Sequence, residues 1–142
     1  MALTMHKGII FLAEDDTDVR ENFEDALEDA GYLVLSARSG LEALARMRGF
    51  SNRAVAIVDL NMPDMNGIEL IAQMRAEKEL SNIPILAISA ERKGPIEGAT
   101  RFLRKPLELK ELLRSVQELL LSPSPSGGGR GEGKSPGNPP SP

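Results

Sequence analysis

The stretch Ile9-Ile10-Phe11-Leu12-Ala13-Glu14-Asp15 sets five apolar residues directly before two carboxylates, and its reading decides the fold. Two later apolar runs close in the same way, Val55-Ala56-Ile57-Val58 on Asp59 and Ile85-Leu86-Ala87-Ile88 on Ser89, and a further run closes on Lys105. Short apolar runs of this kind are expected strands, several of them buried on both faces. In a parallel α/β sheet the carboxyl ends of the strands line up along one edge, and that edge is where ligands bind. Five scattered polar residues are therefore expected to converge on one pocket.

Between the runs the apolar period lengthens. Val19, Phe23, Ala26, Leu27 and Ala30 recur at helical spacing, and Gly31 supplies a stop. Leu33-Val34-Leu35 reads as another strand, Leu41, Leu44 and Ala45 as a short helix, and Ile68, Ile71 and Met74 as the next. A last helix carries Leu109, Leu112, Leu113, Val116, Leu119 and Leu120 on one stripe. The order βαβαβαβ, an irregular link, then βα predicts an α/β fold, a doubly wound parallel sheet with helices on both faces. No internal repeat is visible.

With 142 residues, of which 41% are hydrophobic, the chain supports one core of ordinary size. A formal charge of -4 without a Lys/Arg cluster argues against nucleic-acid binding. The absence of cysteine excludes disulfides and thiolate metal sites and fits a cytoplasmic location. Ile9 to Ala13 is too short for a signal-peptide core, and no segment approaches a membrane span. From Ser122 to Pro142 the composition collapses to Ser, Pro and Gly, so residues 122–142 are expected to form a disordered tail beyond a domain of residues 1–121. His6 lies outside the globular pattern, which argues against a ligand role.

Glu14, Asp15 and Asp59 at one edge repel one another and call for a counter-charge. Hard oxygen ligands without His or Cys favour Mg²⁺ as the cofactor. A carboxylate also acts as a nucleophile toward phosphorus, and Asp59 is the candidate acceptor. Ser89 and Lys105 supply a hydroxyl and an ammonium for the phosphoryl oxygens. Singly, each has a plain structural reading, since strand-end Asp residues often cap turns and Lys-Pro pairs are common in loops. At four consistent strand ends the structural reading is strained.

Phe11-Leu12-Ala13-Glu14-Asp15-Asp16, Val58-Asp59-Leu60-Asn61-Met62-Pro63, Met65-Asn66-Gly67, Ile88-Ser89-Ala90 and Lys105-Pro106 together resemble the receiver domain of two-component response regulators, over about residues 7 to 121. The resemblance is to the stand-alone type typified by the chemotaxis response regulator. It implies a flavodoxin-like strand order 2-1-3-4-5 and a role in phosphorelay signal transduction. Asp59 would accept a phosphoryl group from a sensor histidine kinase or a histidine phosphotransfer protein, and the chain would signal to a downstream protein by protein contacts. It further implies Mg²⁺ held by Glu14, Asp15, Asp59 and the backbone carbonyl of Asn61, with Asp16 one position beyond the acid pair and outside the metal site. Ser89 and Lys105 would contact the phosphoryl group, Ser89 and Phe102 would form the switch, and Asn61 and Glu91 would tune autodephosphorylation. No other enzymatic activity is implied. The Lys105-Pro106 bond is a candidate for the cis form, while Pro63 and Gly67 read as shapers of the loop after Asp59.

One departure stands out. Only fifteen residues separate Ser89 from Lys105, fewer than the family spends there, and they include Gly94, Pro95 and Gly98. A crossover with its helix needs at least about 10–12 residues, so the fourth helix is expected to be missing or reduced to a turn. The family's usual dimer and output face then comes into doubt, and the first helix becomes the alternative signalling surface. Two other readings stay open: a receiver-like protein-binding module that works without phosphorylation, and a haloacid-dehalogenase-like phosphatase suggested by Asp16-Thr17-Asp18-Val19.

Overall fold

β1 (Ile9–Ala13), β3 (Ala54–Asp59) and β4 (Ile85–Ser89) are buried along their whole length, as near-continuous apolar runs in the middle of a parallel sheet must be. The computed structural model describes residues 6–50, 53–92 and 94–121. The five strands, completed by β2 (Leu33–Ala37) and β5 (Arg101–Arg104), are all parallel and run in the order β2-β1-β3-β4-β5. The doubly wound sheet and its 2-1-3-4-5 order are therefore as expected. The tail at 122–142 lies outside the described residues.

Alternation along the strands splits the core into two layers. Phe11, Ala56, Val58, Ile85 and Ala87 face α2 (Gly40–Met47) and α3 (Gly67–Ala76). Ile10, Leu12, Val55, Ile57, Leu86 and Ile88 face α1 (Thr17–Asp29) and α4 (Leu109–Leu121). Strand register sets the site: Ala13 pairs with Val58, Asp59 with Ile88, and Ser89 with Arg104, so the carboxyl ends finish level. Helix starts are capped at that same edge by Asp16, Ser39 and Asn66, the last in a reciprocal box with Glu69.

The sequence pattern places three side chains wrongly. Leu41 and Ala45 are exposed, and α2 instead buries Ala43, Leu44 and Met47 against the sheet. Leu109 is likewise exposed at the start of α4. In both helices the apolar count exceeds what the contact stripe can cover.

Between β4 and β5 no helix forms among the described residues, as the short spacing predicts. Ile96, Ala99 and Phe102 close that face of the core. Arg75 of α3 anchors the link: its guanidinium donates to the carbonyls of Gly98, Ser81 and Ile83, each at 2.8 Å. Burial lowers the Arg75 pKa to about 10, which leaves it charged at neutral pH. Arg75→Met strips three carbonyls of their donor, so urea unfolding should show a loss of about 3 kcal/mol.

Candidate functional site

The five polar residues predicted to converge emerge where strands stop. Glu14 and Asp15 follow β1, Asp59 and Ser89 are the last residues of β3 and β4, and Lys105 follows β5. The fold brings carboxylate oxygens of Glu14, Asp15 and Asp59 within 4.8 Å of one another. Asp16 is not in this group. Its side chain accepts from the Val19 N–H at 3.0 Å as the cap of α1.

Lys105 reaches back into the acids. Its Nζ lies 2.9 Å from Glu14 Oε1 and 3.3 Å from Asp59 Oδ2, and the Lys105-Pro106 bond is cis. Burial disfavours the ammonium, but the hydrogen bond and charge of Glu14, aided by Asp59, outweigh it and raise its pKa. Glu14, fully shielded from solvent, shows the opposite balance. Burial, followed by its hydrogen bond with Asp59, pushes its pKa to about 7 against the pull of Lys105. One ammonium does not offset three carboxylates, and hard oxygen donors with unrelieved charge suit Mg²⁺. Glu14, Asp15 and Asp59 are the side chains fit to hold it.

The loop after Asp59 is tied down at both ends. The Asn61 N–H donates to Asp59 Oδ1 at 3.1 Å, and the Leu60 N–H donates to the Ile88 carbonyl at 2.9 Å. At Gly67 a Cβ would sit 2.4 Å from the Asp59 carbonyl oxygen, so only glycine lets α3 start against the backbone of Asp59. Pro63 is exposed in the same loop.

Ser89 Oγ accepts from the N–H groups of Glu91 and Arg92, at 3.1 and 3.0 Å, which folds the first turn of the crossover over the site. Its own proton remains free to go to a third group. Glu91 and Asn61 are exposed at the rim. Phe102 is half-buried beneath Gly94, where an added Cβ would lie 2.6 Å from its ring. His6 is exposed near the amino ends of the strands, away from these groups.

Arg20 belongs to the site and was not foreseen. Its guanidinium is buried and donates to the Glu14 carbonyl at 3.1 Å and the Asp15 carbonyl at 3.3 Å. The signal was present in the sequence, because Arg20 falls on the same stripe as Phe23 and Leu27.

A groove of about 460 Å³ opens beside Lys105 between α1 and the β5–α4 loop, lined by Val19, Phe23, Ala90, Pro106, Leu107 and Leu109 among others. Its walls are largely apolar side chains. No helix of the described residues is long and apolar enough to cross a membrane.

The family model of the response regulator receiver domain matches residues 10–117. Response regulator MprA of Mycobacterium sp. (strain KMS) is 36% identical over 126 residues, covering 84% of this chain and 53% of MprA. The chain thus spans about half the length of the curated relatives it matches first. The chemotaxis response regulator CheY4 of Vibrio cholerae superposes with a TM-score of 0.72 at 31% identity, over 79% of this chain and 98% of CheY4. The receiver domain of sensor histidine kinase PA1611 from Pseudomonas aeruginosa PAO1 does so with 0.74 at 26% identity, over 81% of this chain and 98% of that one, and holds a magnesium ion in its active-site cleft. Family match, strand order and polar edge agree, and the chain belongs to the response regulator receiver domain family of phosphorelay signalling.

Proposed function

We propose that this receiver takes a phosphoryl group onto Asp59 from a phosphohistidine of a sensor kinase or phosphotransfer protein and hands on the signal by protein contacts. The observation that carries the reading is Lys105 Nζ set between Glu14 and Asp59, at the one edge where the three carboxylates meet. A carboxylate oxygen of Asp59 forms the new P–O bond while the P–N bond of the phosphohistidine breaks. The imidazole leaves with that electron pair and takes up a proton. Lys105 holds positive charge beside the acceptor throughout, and Ser89 offers its free proton to a phosphoryl oxygen. When bound at Glu14, Asp15 and Asp59, with the Asn61 carbonyl as a further ligand, Mg²⁺ supplies the charge that the acids and the phosphoryl oxygens require.

The apolar groove beside Lys105 suits a helical donor protein, with Val19 and Leu109 at its walls. For output, movement of Ser89 toward a phosphoryl group would release the Glu91 and Arg92 amides and free Gly94 from Phe102. Asn61 and Glu91 stand at the rim, where they would tune loss of the phosphoryl group.

Acetyl phosphate tests the reading. Intact mass should show the gain of one phosphoryl group with Mg²⁺ and none with EDTA. No uptake under any condition would leave a receiver-like module acting by shape. Against the phosphatase reading, the Asp16 side chain caps α1 and is not among the three grouped carboxylates.

A further inference from the structure

We infer that Arg20 is a positioning residue for the metal site: through two backbone carbonyls it sets the directions of Glu14 and Asp15. The inference rests on the reading that these acids hold Mg²⁺, and it concerns a residue that touches neither the ion nor the phosphoryl group.

Successive carbonyls along a strand point to opposite sides. Those of Glu14 and Asp15 instead converge on one Nη1 of Arg20, at 3.1 and 3.3 Å, so the backbone leaves the regular strand path after β1. Three features accompany that path. Glu14 turns fully inward and Asp15 outward, although both keep a carboxylate oxygen within 4.8 Å of Asp59. The Asp16 N–H swings round to donate to Glu14 Oε2 at 3.1 Å, leaving Oε1 to Lys105. Asp16 itself arrives as the cap of α1, the helix that carries Arg20.

The guanidinium is thus part of a closed loop: β1, the acid pair, the cap, the first turn of α1, and back to the acid pair. Its second nitrogen is held by Thr17 Oγ1 at 3.4 Å, so the fork is fixed at both ends. Every hydrogen bond it makes among the described residues goes to a neutral oxygen. A buried arginine spent on carbonyls is costly unless their placement matters. Groups that orient metal ligands from behind typically change affinity by about 10–100-fold when removed. Lysine retains the charge but is a single point donor, which does not reproduce the fork.

The test is calorimetric titration of the full chain with MgCl₂ at pH 7.5, beside urea unfolding of the same proteins in EDTA. Arg20→Met should weaken Mg²⁺ binding at least about tenfold and Arg20→Lys by an intermediate factor, with phosphoryl uptake restored when Mg²⁺ is raised. A merely structural arginine would lower unfolding stability in EDTA and leave the Mg²⁺ affinity within twofold of wild type, which would overturn the inference. If Arg20→Met does not fold, Arg20→Lys decides on the same criterion. A wild type that binds no Mg²⁺ sinks the metal-site reading itself, a result distinct from equal binding by wild type and variants.

Discussion

Asp59→Asn should reduce phosphoryl uptake from acetyl phosphate by at least about a hundredfold, to below detection by intact mass. The amide keeps the size of the side chain and an oxygen for the Asn61 N–H, so the loop after β3 should hold its shape. What is lost is the anionic oxygen that attacks phosphorus and its pairing with Lys105. Stability should not fall with activity. Two carboxylates crowd the buried edge beside Asp59, and removing the third charge relieves their repulsion. The check is a urea melt in EDTA beside the uptake assay, with the variant unfolding at the same or higher denaturant concentration. A variant that lost uptake because it unfolded would show the opposite.

The second large effect is on pH. Glu14 has a folded pKa of about 7 against an ordinary value of 4.5, so between those limits the native state holds a proton that the unfolded chain has lost. Stability must then fall as pH rises through this window and level off above it. From pH 5.5 to 7.5 in EDTA the loss should be about 2 kcal/mol for wild type, and most of it should vanish in Glu14→Gln. Mg²⁺ requires the ionised form, so its affinity should fall by about 25-fold from pH 7.5 to 5.5. Stability that rises with pH across this window in EDTA would contradict the burial-driven shift at Glu14.

Much of this site was legible before any coordinates. A polar residue that closes an apolar run is placed by the run itself, and that is why Glu14, Asp59, Ser89 and Lys105 arrive together. That no helix forms between β4 and β5 among the described residues was legible too, since fifteen residues holding Gly94, Pro95 and Gly98 leave little room for one. Arg20 and Arg75 were less plain. An arginine on a helix ordinarily reads as solvated surface: Arg20 shows only as a polar residue on the stripe of Phe23 and Leu27, and packing alone reveals that Arg75 ties the Gly98 carbonyl of the crossover to α3. The depth of Glu14 was also hidden. Sequence sets it beside Asp15 as an equal, whereas in the structure Glu14 is buried and Asp15 exposed.

The shortened crossover changes where a phosphorylation signal can emerge. Its first turn hangs on Ser89 and its far end is pinned to α3 through Arg75 and the Gly98 carbonyl. Any motion released at Ser89 on phosphorylation should therefore be confined to the residues between, beside Phe102. Backbone amide shifts on phosphorylation should concentrate at residues 90–97 and spare α2.

The measurement that bears most directly on the central claim is the location of the phosphoryl group. Borohydride reduction of the chain after acetyl phosphate and Mg²⁺, followed by peptide mass mapping, converts a phosphorylated aspartate to homoserine. Homoserine at position 59 alone is the predicted result. Homoserine at position 16, or a phosphoryl group on any residue other than Asp59, would contradict the account.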